Sequence, residues 1–118
     1  MSFKRFVDGV ETLALLAVVL FVVLLFRSGS PIVVASDDPA LQEGAQIFAS
    51  RCAGCHGPEG QGYAGRPALN DGRVVAAFSD IDAQIAVVSN GRGSMPAFGG
   101  ALDVAQLEAV VRFTREVL

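Results

Sequence analysis

Two cysteines and the chain's one histidine fall within five consecutive residues, Cys52-Ala53-Gly54-Cys55-His56. Thiols three positions apart can each add to a vinyl group along one edge of a porphyrin, and an imidazole on the next residue then lies under the ring, where it can bind the iron. That spacing is the attachment signal of a c-type haem, with Cys52 and Cys55 as the attachment residues and His56 as an iron ligand. Other chemistries for a C-x-x-C pair fit less well. The chain has no third cysteine and no second histidine, so the four-ligand shell of a structural zinc site cannot close. No βαβ pattern surrounds the pair, as a thioredoxin-like redox site requires. A disulfide closing so short a loop contributes little.

Apart from the initiator, the sequence holds a single methionine, Met95. A second iron ligand of the imidazole or thioether kind can therefore only be Met95. It sits in a segment with glycines at 91, 93, 99 and 100, which reads as an ordered loop able to pass close to a flat cofactor. Pro96 fixes the backbone just after it and biases Met95 towards an extended conformation. Methionine is also a common gap-filler in cores, but a lone one in a Gly/Pro loop fits that role poorly.

Helices must position these groups. Asp38-Pro39 is a start signal, a carboxylate cap followed by proline at the first helical position. Leu41, Ala45, Phe48 and Cys52 recur at helical spacing, so this helix is expected to run into the haem motif. Residues 57–69 are loop by composition. A short helix is expected over 74–78. Another, capped by Ser79 or Asp80, runs through Ile81, Ile85 and Val88 and ends near Asn90-Gly91. The last helix opens on Asp103 with Gln106, a capping box. Its inner stripe is Leu107, Val110, Val111, Thr114, Val117 and Leu118, with Glu108 and Arg112 as an outer i,i+4 pair. No stretch alternates with period two, so the fold class is all-α. Leu69, Val74, Phe78, Ile85, Val88 and Phe98 are the expected walls of a haem pocket, ordinary core packing being the competing reading for each. A domain of about eighty residues is near the lower limit for a self-sufficient core, so the haem-free domain is expected to be largely unfolded.

With Cys52-Ala53-Gly54-Cys55-His56 early and Met95-Pro96 late, residues 39–118 resemble the small class I c-type cytochromes. Gly44 and Phe48 resemble the glycine and aromatic of that family's first helix, and Val110 and Phe113 its last-helix contacts. The resemblance implies a small cytochrome c fold of three to five helices around one covalent haem c. It also implies that the carbonyl of the loop carrying Pro67-Ala68-Leu69 orients His56, and that an exposed haem edge lies near the Met95 loop and the 63–66 region. The expected cofactor-binding set is then Cys52, Cys55, His56, Met95, Pro67, Leu69 and Phe98, with His56 and Met95 on the metal.

Before this domain, Lys4 and Arg5 precede an apolar run over 12–26 that is followed by Arg27. Fifteen residues of helix reach roughly 22 Å, short of a ~30 Å hydrocarbon core. Counting from Phe6 or Val7 reaches spanning length, with Asp8 and Glu11 at the interface. Two readings compete: a retained anchor, and a signal peptide cleaved after Val33, Val34 and Ala35. Acids in the leading segment and the distance of that site from the apolar run favour the anchor. The expected organisation is a single transmembrane helix over 1–27, a linker over 28–37 and the cytochrome domain over 38–118. The basic amino end places the N-terminus in the cytoplasm and the haem domain on the periplasmic side. Fully extended, residues 27–37 span at most roughly 35–40 Å, which confines the domain to partners at its own membrane surface.

Residues 36–118 carry ten carboxylates, six arginines and no lysine, a net charge of −4. Nucleic-acid binding is excluded for so acidic a domain, and so is a lysine ring for docking. Arg66, Arg73 and Arg92 fall in loops near the expected haem, placed to pair with its propionates or with a partner, solvated surface cations being the competing reading. Two protein ligands leave the iron no open position, which points to a one-electron carrier rather than an enzyme. Such a carrier would relay electrons between a membrane oxidase, a quinol-oxidising complex or a reaction centre, diffusing on its tether or held in a larger complex. The alternatives are a soluble periplasmic cytochrome released by cleavage, and a haem enzyme or sensor with a labile sixth ligand.

Overall fold

The computed structural model describes residues 3–27 and 34–118, in two compact units, Met1–Ser30 and Pro31–Leu118. The first is a single helix, α1 (Phe3–Arg27). Within it, Val7–Leu25 makes 19 residues with none buried. That is ~28 Å of helix, enough by length and composition to cross a hydrocarbon core of ~30 Å. It exceeds the apolar run 12–26 because Asp8 and Glu11 lie within the helix. The Thr12 hydroxyl donates to the Asp8 carbonyl at 2.7 Å, satisfying its polar group inside the helix. The side chains of Lys4 and Arg5 lie outside the described residues. So do residues 28–33, including Pro31, Ile32 and the Val33 of the expected cleavage site.

The second unit is helical, with no β-strand among the described residues, as the all-α reading expects. The Asp38 carboxylate accepts from the Ala40 N–H at 2.9 Å and, with Pro39 at the first position, opens α2 (Pro39–Ile47). The chain continues without a break through a π-helical turn (Phe48–Cys52) into α3 (Ala53–His56). α4 (Arg73–Ala77) is one short turn, and α5 (Ile81–Asn90) is capped by Asp80, which accepts from the Asp82 N–H at 3.1 Å. α6 (Val104–Glu116) opens on the complete capping box of Asp103 and Gln106.

Helices α2 and α6 cross at Gly44. A methyl group there would lie 2.7 Å from the carbonyl carbon of Ala109 and 2.8 Å from Phe113 Cβ, so only a residue without Cβ lets the backbones approach this closely. One turn on, the rings of Phe48 and Phe113 pack with centroids 5.4 Å apart, and both are fully buried. Ala45, Ile47, Leu102, Leu107 and Val110 complete this core, with Val34 packed against it. The apolar stretch 32–35 thus packs at Val34 at least.

Three expectations for α6 and α5 need correction. Arg112 does not pair with Glu108. It bonds Glu116 through Nε at 2.8 Å and Asp38 through Nη2 at 2.9 Å. The cap of α2 supplies a second carboxylate on the Glu116 side, and one guanidinium fork serves both. Val117 is exposed, because the helix has ended at Glu116 and the 3.6-residue stripe no longer applies. Ile85 packs against the helix-crossing core, and Val87 lines the cavity described below.

Candidate functional site

The chemistry-bearing residues are presented by a helix end and two turns. The π-helical turn comes first. The Ala53 N–H reaches back five residues to the Phe48 carbonyl, widening the helix between Phe48, buried in the core, and Cys52, which packs against that core and lines the cavity. Such single π turns are common at functional sites. Cys52 and Cys55 are unpaired and half-buried. Burial first, then the proximity of Cys55, pushes the Cys52 thiol up to about 11, so it is neutral at neutral pH.

Helix α3 stops at Gly57, whose φ of +85° turns the chain sharply. The following loop folds back under His56. The Gly62 N–H donates to the His56 carbonyl at 2.7 Å, and the Leu69 N–H to the Gly60 carbonyl at 2.6 Å. This return brings the Pro67 carbonyl to 2.9 Å from His56 Nδ1. A carbonyl only accepts, so Nδ1 is the donor in this bond, which leaves Nε2 as the ring nitrogen available to a metal. His56 is buried and lines a cavity of about 520 Å³.

Met95 enters the same cavity from another turn. The Met95 N–H donates to the Arg92 carbonyl at 3.0 Å, and the Arg92 N–H to the Met95 carbonyl at 3.1 Å. Bonds from the Phe98 and Gly99 N–H groups to Val88 and Ser89 carbonyls, at 3.1 and 2.9 Å, fasten the loop to the end of α5. Gly91 is required here: its φ is +76°, and a Cβ would sit 2.6 Å from the Met95 carbonyl oxygen.

The turns carrying Pro67 and Met95 share one build. Each is entered by a glycine of positive φ, at 62 and 91. Each is closed by one residue pair, Tyr63 with Arg66 and Arg92 with Met95, and each is followed by Pro-Ala. Arg66 thus holds in the first turn the position Met95 holds in the second.

Cys52, Cys55, His56, Met95, Pro67, Leu69 and Phe98 all line the one cavity, with Val74, Phe78 and Val88. A buried polar pair on its wall had no signal in the pattern of apolar residues. Gln84 Nε2 donates to Thr114 Oγ1 at 2.9 Å, and Arg115 Nη1 donates to Gln84 Oε1 at 3.1 Å, tying α5 to α6. Among the described residues no group of three or more His, Cys, Asp or Glu side chains is placed to hold a bare metal ion.

The donor set fits a flat iron-bearing macrocycle. Its cavity is of small-molecule size, in the range of roughly 300–1,000 Å³, with apolar walls and two thiols at one side. The His56 imidazole and the Met95 thioether line the same space. This is the site of a c-type cytochrome domain. The family described as "Cytochrome C oxidase, cbb3-type, subunit III" matches residues 39–113. The chain belongs to this cytochrome c family, and its cofactor is a covalently attached haem c. Similar proteins include the cbb3-type cytochrome c oxidase subunit FixP of Azorhizobium caulinodans, 39% identical over 77 residues, 63% of this chain and 26% of that protein. The chain therefore spans about a quarter of the length of that relative. It is 35% identical to cytochrome c6 of Leptolyngbya boryana over 71 residues, 59% of this chain and 84% of that protein. It is also 35% identical to cytochrome c6 of Microcystis aeruginosa over 72 residues, 60% of this chain and 89% of that protein. No solved structure matches the chain.

Proposed function

We propose that the chain is a membrane-tethered one-electron carrier, with haem attached through Cys52 and Cys55 and its iron held by His56 and Met95. The observation that carries this reading is the convergence of His56 and Met95 on one cavity, from a helix end and a separate turn. Haem supplies a one-electron couple, and thioether with imidazole ligation raises its reduction potential relative to two imidazoles. The protein's part is to hold geometry constant between the two oxidation states. The Pro67 carbonyl fixes the His56 ring by its bond to Nδ1. The paired bonds between Arg92 and Met95 and the anchorage of 98–99 on α5 fix the Met95 loop. Leu69, Val74, Phe78, Val88 and Phe98 exclude water from the cavity walls. With His56 and Met95 both holding the iron, a substrate would find no open position on it, which sets the relay reading above an enzyme or ligand sensor.

Helix α1 is the proposed anchor, with the amino terminus in the cytoplasm and the haem domain outside. The similarity to FixP, an oxidase subunit by name, favours a membrane oxidase complex as the setting. The test is an oxidised spectrum of the purified full chain, in which an iron–thioether charge-transfer band is expected. Its absence would move the reading to an open-site haem protein. Purification in mild detergent is expected to bring down an oxidase complex with the intact chain. A mature protein beginning at Ser36 would instead make it a released periplasmic cytochrome.

A further inference from the structure

Among the described residues three polar side chains are buried, His56, Gln84 and Thr114, with 8%, 5% and 6% of their surfaces exposed. All three line the haem cavity. His56 is there to bind iron. Gln84 and Thr114 have no such task, and a buried amide and hydroxyl add little stability over apolar side chains of the same shape. Their bonding has a direction. Arg115 Nη1 donates to Gln84 Oε1 at 3.1 Å, Gln84 Nε2 donates to Thr114 Oγ1 at 2.9 Å, and Thr114 Oγ1 donates to the Val111 carbonyl at 2.8 Å. The Gln84 amide thus turns its negative end to the guanidinium and its positive end to Thr114 on the cavity wall. Arg115 itself is held by neutral acceptors, Gln84 and the Phe78 and Ser79 carbonyls. Neither ion pair among the described residues includes it, and no carboxylate side chain lines the cavity.

We infer that Arg115, held by Gln84 against the wall that Gln84 and Thr114 form, raises the reduction potential of the site. The inference rests on the electron-carrier reading and names residues that set the carrier's driving force. Its sign follows from charge. Loss of the electron adds one positive charge inside the cavity, so a fixed cation behind the wall disfavours the oxidised form and favours the reduced one. The low dielectric of a buried wall lets that cation act at a distance where water would suppress it. Arg51, Arg66, Arg73 and Arg92 also line the cavity, but all four are exposed, where water and salt screen them. Arg115 is half-buried and its guanidinium is fixed by acceptors on two sides, the 78–79 backbone and Gln84. Gln84 therefore acts as a positioning residue for an unneutralised charge, and the tie between α5 and α6 is its structural consequence.

The test is redox titration of the full, haem-loaded chain in uncharged detergent, with the oxidised spectrum recorded for each protein. Gln84→Glu is the decisive change. The introduced carboxylate, kept ionised by the adjacent guanidinium, still accepts from Arg115, so the link between α5 and α6 survives while the cation is neutralised. It is expected to lower the equilibrium constant for reduction on the order of tenfold, which is about 59 mV for one electron. Arg115→Gln removes the cation outright and is expected to lower that constant by a similar factor. Its difference from the parent should persist from roughly 0.05 to 0.5 M salt, a range over which exposed charges are progressively screened. Glu108→Gln, exposed on α6, should stay within about twofold of the parent. A Gln84→Glu protein that keeps the thioether band with an unmoved or raised potential would overturn the assignment. Loss of the band in that variant would make the network a mount for Met95 and overturn it too. An Arg115→Gln shift that vanishes with salt would place the effect at the surface and overturn it equally; should that variant not fold, Gln84→Glu decides alone. The parent is measured first, and a parent without the band, or one that takes up no electron, would overturn the carrier reading and the inference with it.

Discussion

Replacing Gly44 by alanine tests the helix crossing on which the site is mounted. In an unobstructed helix this change would stabilise by about 1 kcal/mol. Here the new methyl would run into the Ala109 carbonyl oxygen, with the carbonyl carbon at 2.7 Å and Phe113 Cβ at 2.8 Å. The obstructing atoms are mostly backbone of α6, which cannot swing aside as a side-chain tip can. Over-packing of this kind costs typically ~1–3 kcal/mol and occasionally more, and rigid neighbours place it at the upper end. Net destabilisation is then about 2 kcal/mol, which for a domain of this size lowers the melting temperature by roughly 8–16 °C. The assay is thermal unfolding of the haem-loaded protein by far-ultraviolet circular dichroism. Gly100→Ala serves as the control, since nothing lies within 4 Å of its added Cβ. A Gly44→Ala protein melting at or above the parent would refute the close crossing.

Other outcomes follow from the same geometry. Replacing both attachment residues (Cys52→Ser with Cys55→Ser) is expected to leave the domain unfolded. Without the haem the apolar walls of the cavity have nothing to cover them, and a domain of about eighty residues has little core to spare; a cooperative helical melt would contradict this. Gln84→Leu should cost about 1–2 kcal/mol in denaturant unfolding, because it strips Arg115 of an acceptor and Thr114 of a donor, and a neutral result would remove the α5–α6 tie. The Asp38 carboxyl is held below the ordinary carboxylate value, first by the Arg112 hydrogen bond and then by the Ala40 N–H. A lowered carboxylate pKa contributes stability fully present above the unfolded value of about 3.9 and lost as pH falls through the lower folded value. The difference in melting temperature between parent and Asp38→Asn should therefore be full at neutral pH and shrink below about pH 4. A difference independent of pH would assign the effect to something other than the ionised carboxylate.

The parts of this fold that were legible in the sequence are those with local causes. Asp38-Pro39 and the Asp103/Gln106 box mark helix starts by hydrogen bonds a few residues long. The Gly-rich 90–100 segment reads as a loop because its backbone needs positive φ at Gly91 and Gly93. The C-x-x-C-H run and the lone internal Met95 name candidate ligands by elimination. What escaped has tertiary causes. The residues of the π turn, Phe48–Cys52, carry no propensity for it; it falls where one segment both buries Phe48 against Phe113 and brings Cys52 to the cavity. Arg112 takes Glu116 and Asp38 rather than Glu108 because a residue 74 positions away in the chain arrives beside it. Gln84 was hidden for the same reason, its partners Thr114 and Arg115 being 30 and 31 positions distant. The kinship of the two ligand-side turns was present in the letters as two Gly-x-x-x-x-Pro-Ala runs, at 62–68 and 91–97. It carried meaning only once both were seen to line one cavity.

The central claim is that one cavity joins His56 and Met95 on a single haem iron. Its most direct test is the oxidised absorption spectrum of the full chain beside that of Met95→Ala. The account predicts an iron–thioether charge-transfer band in the parent, its loss in the variant, and carbon monoxide binding by the reduced variant alone. A parent without the band, or a variant with an unchanged spectrum and no carbon monoxide binding, would contradict it.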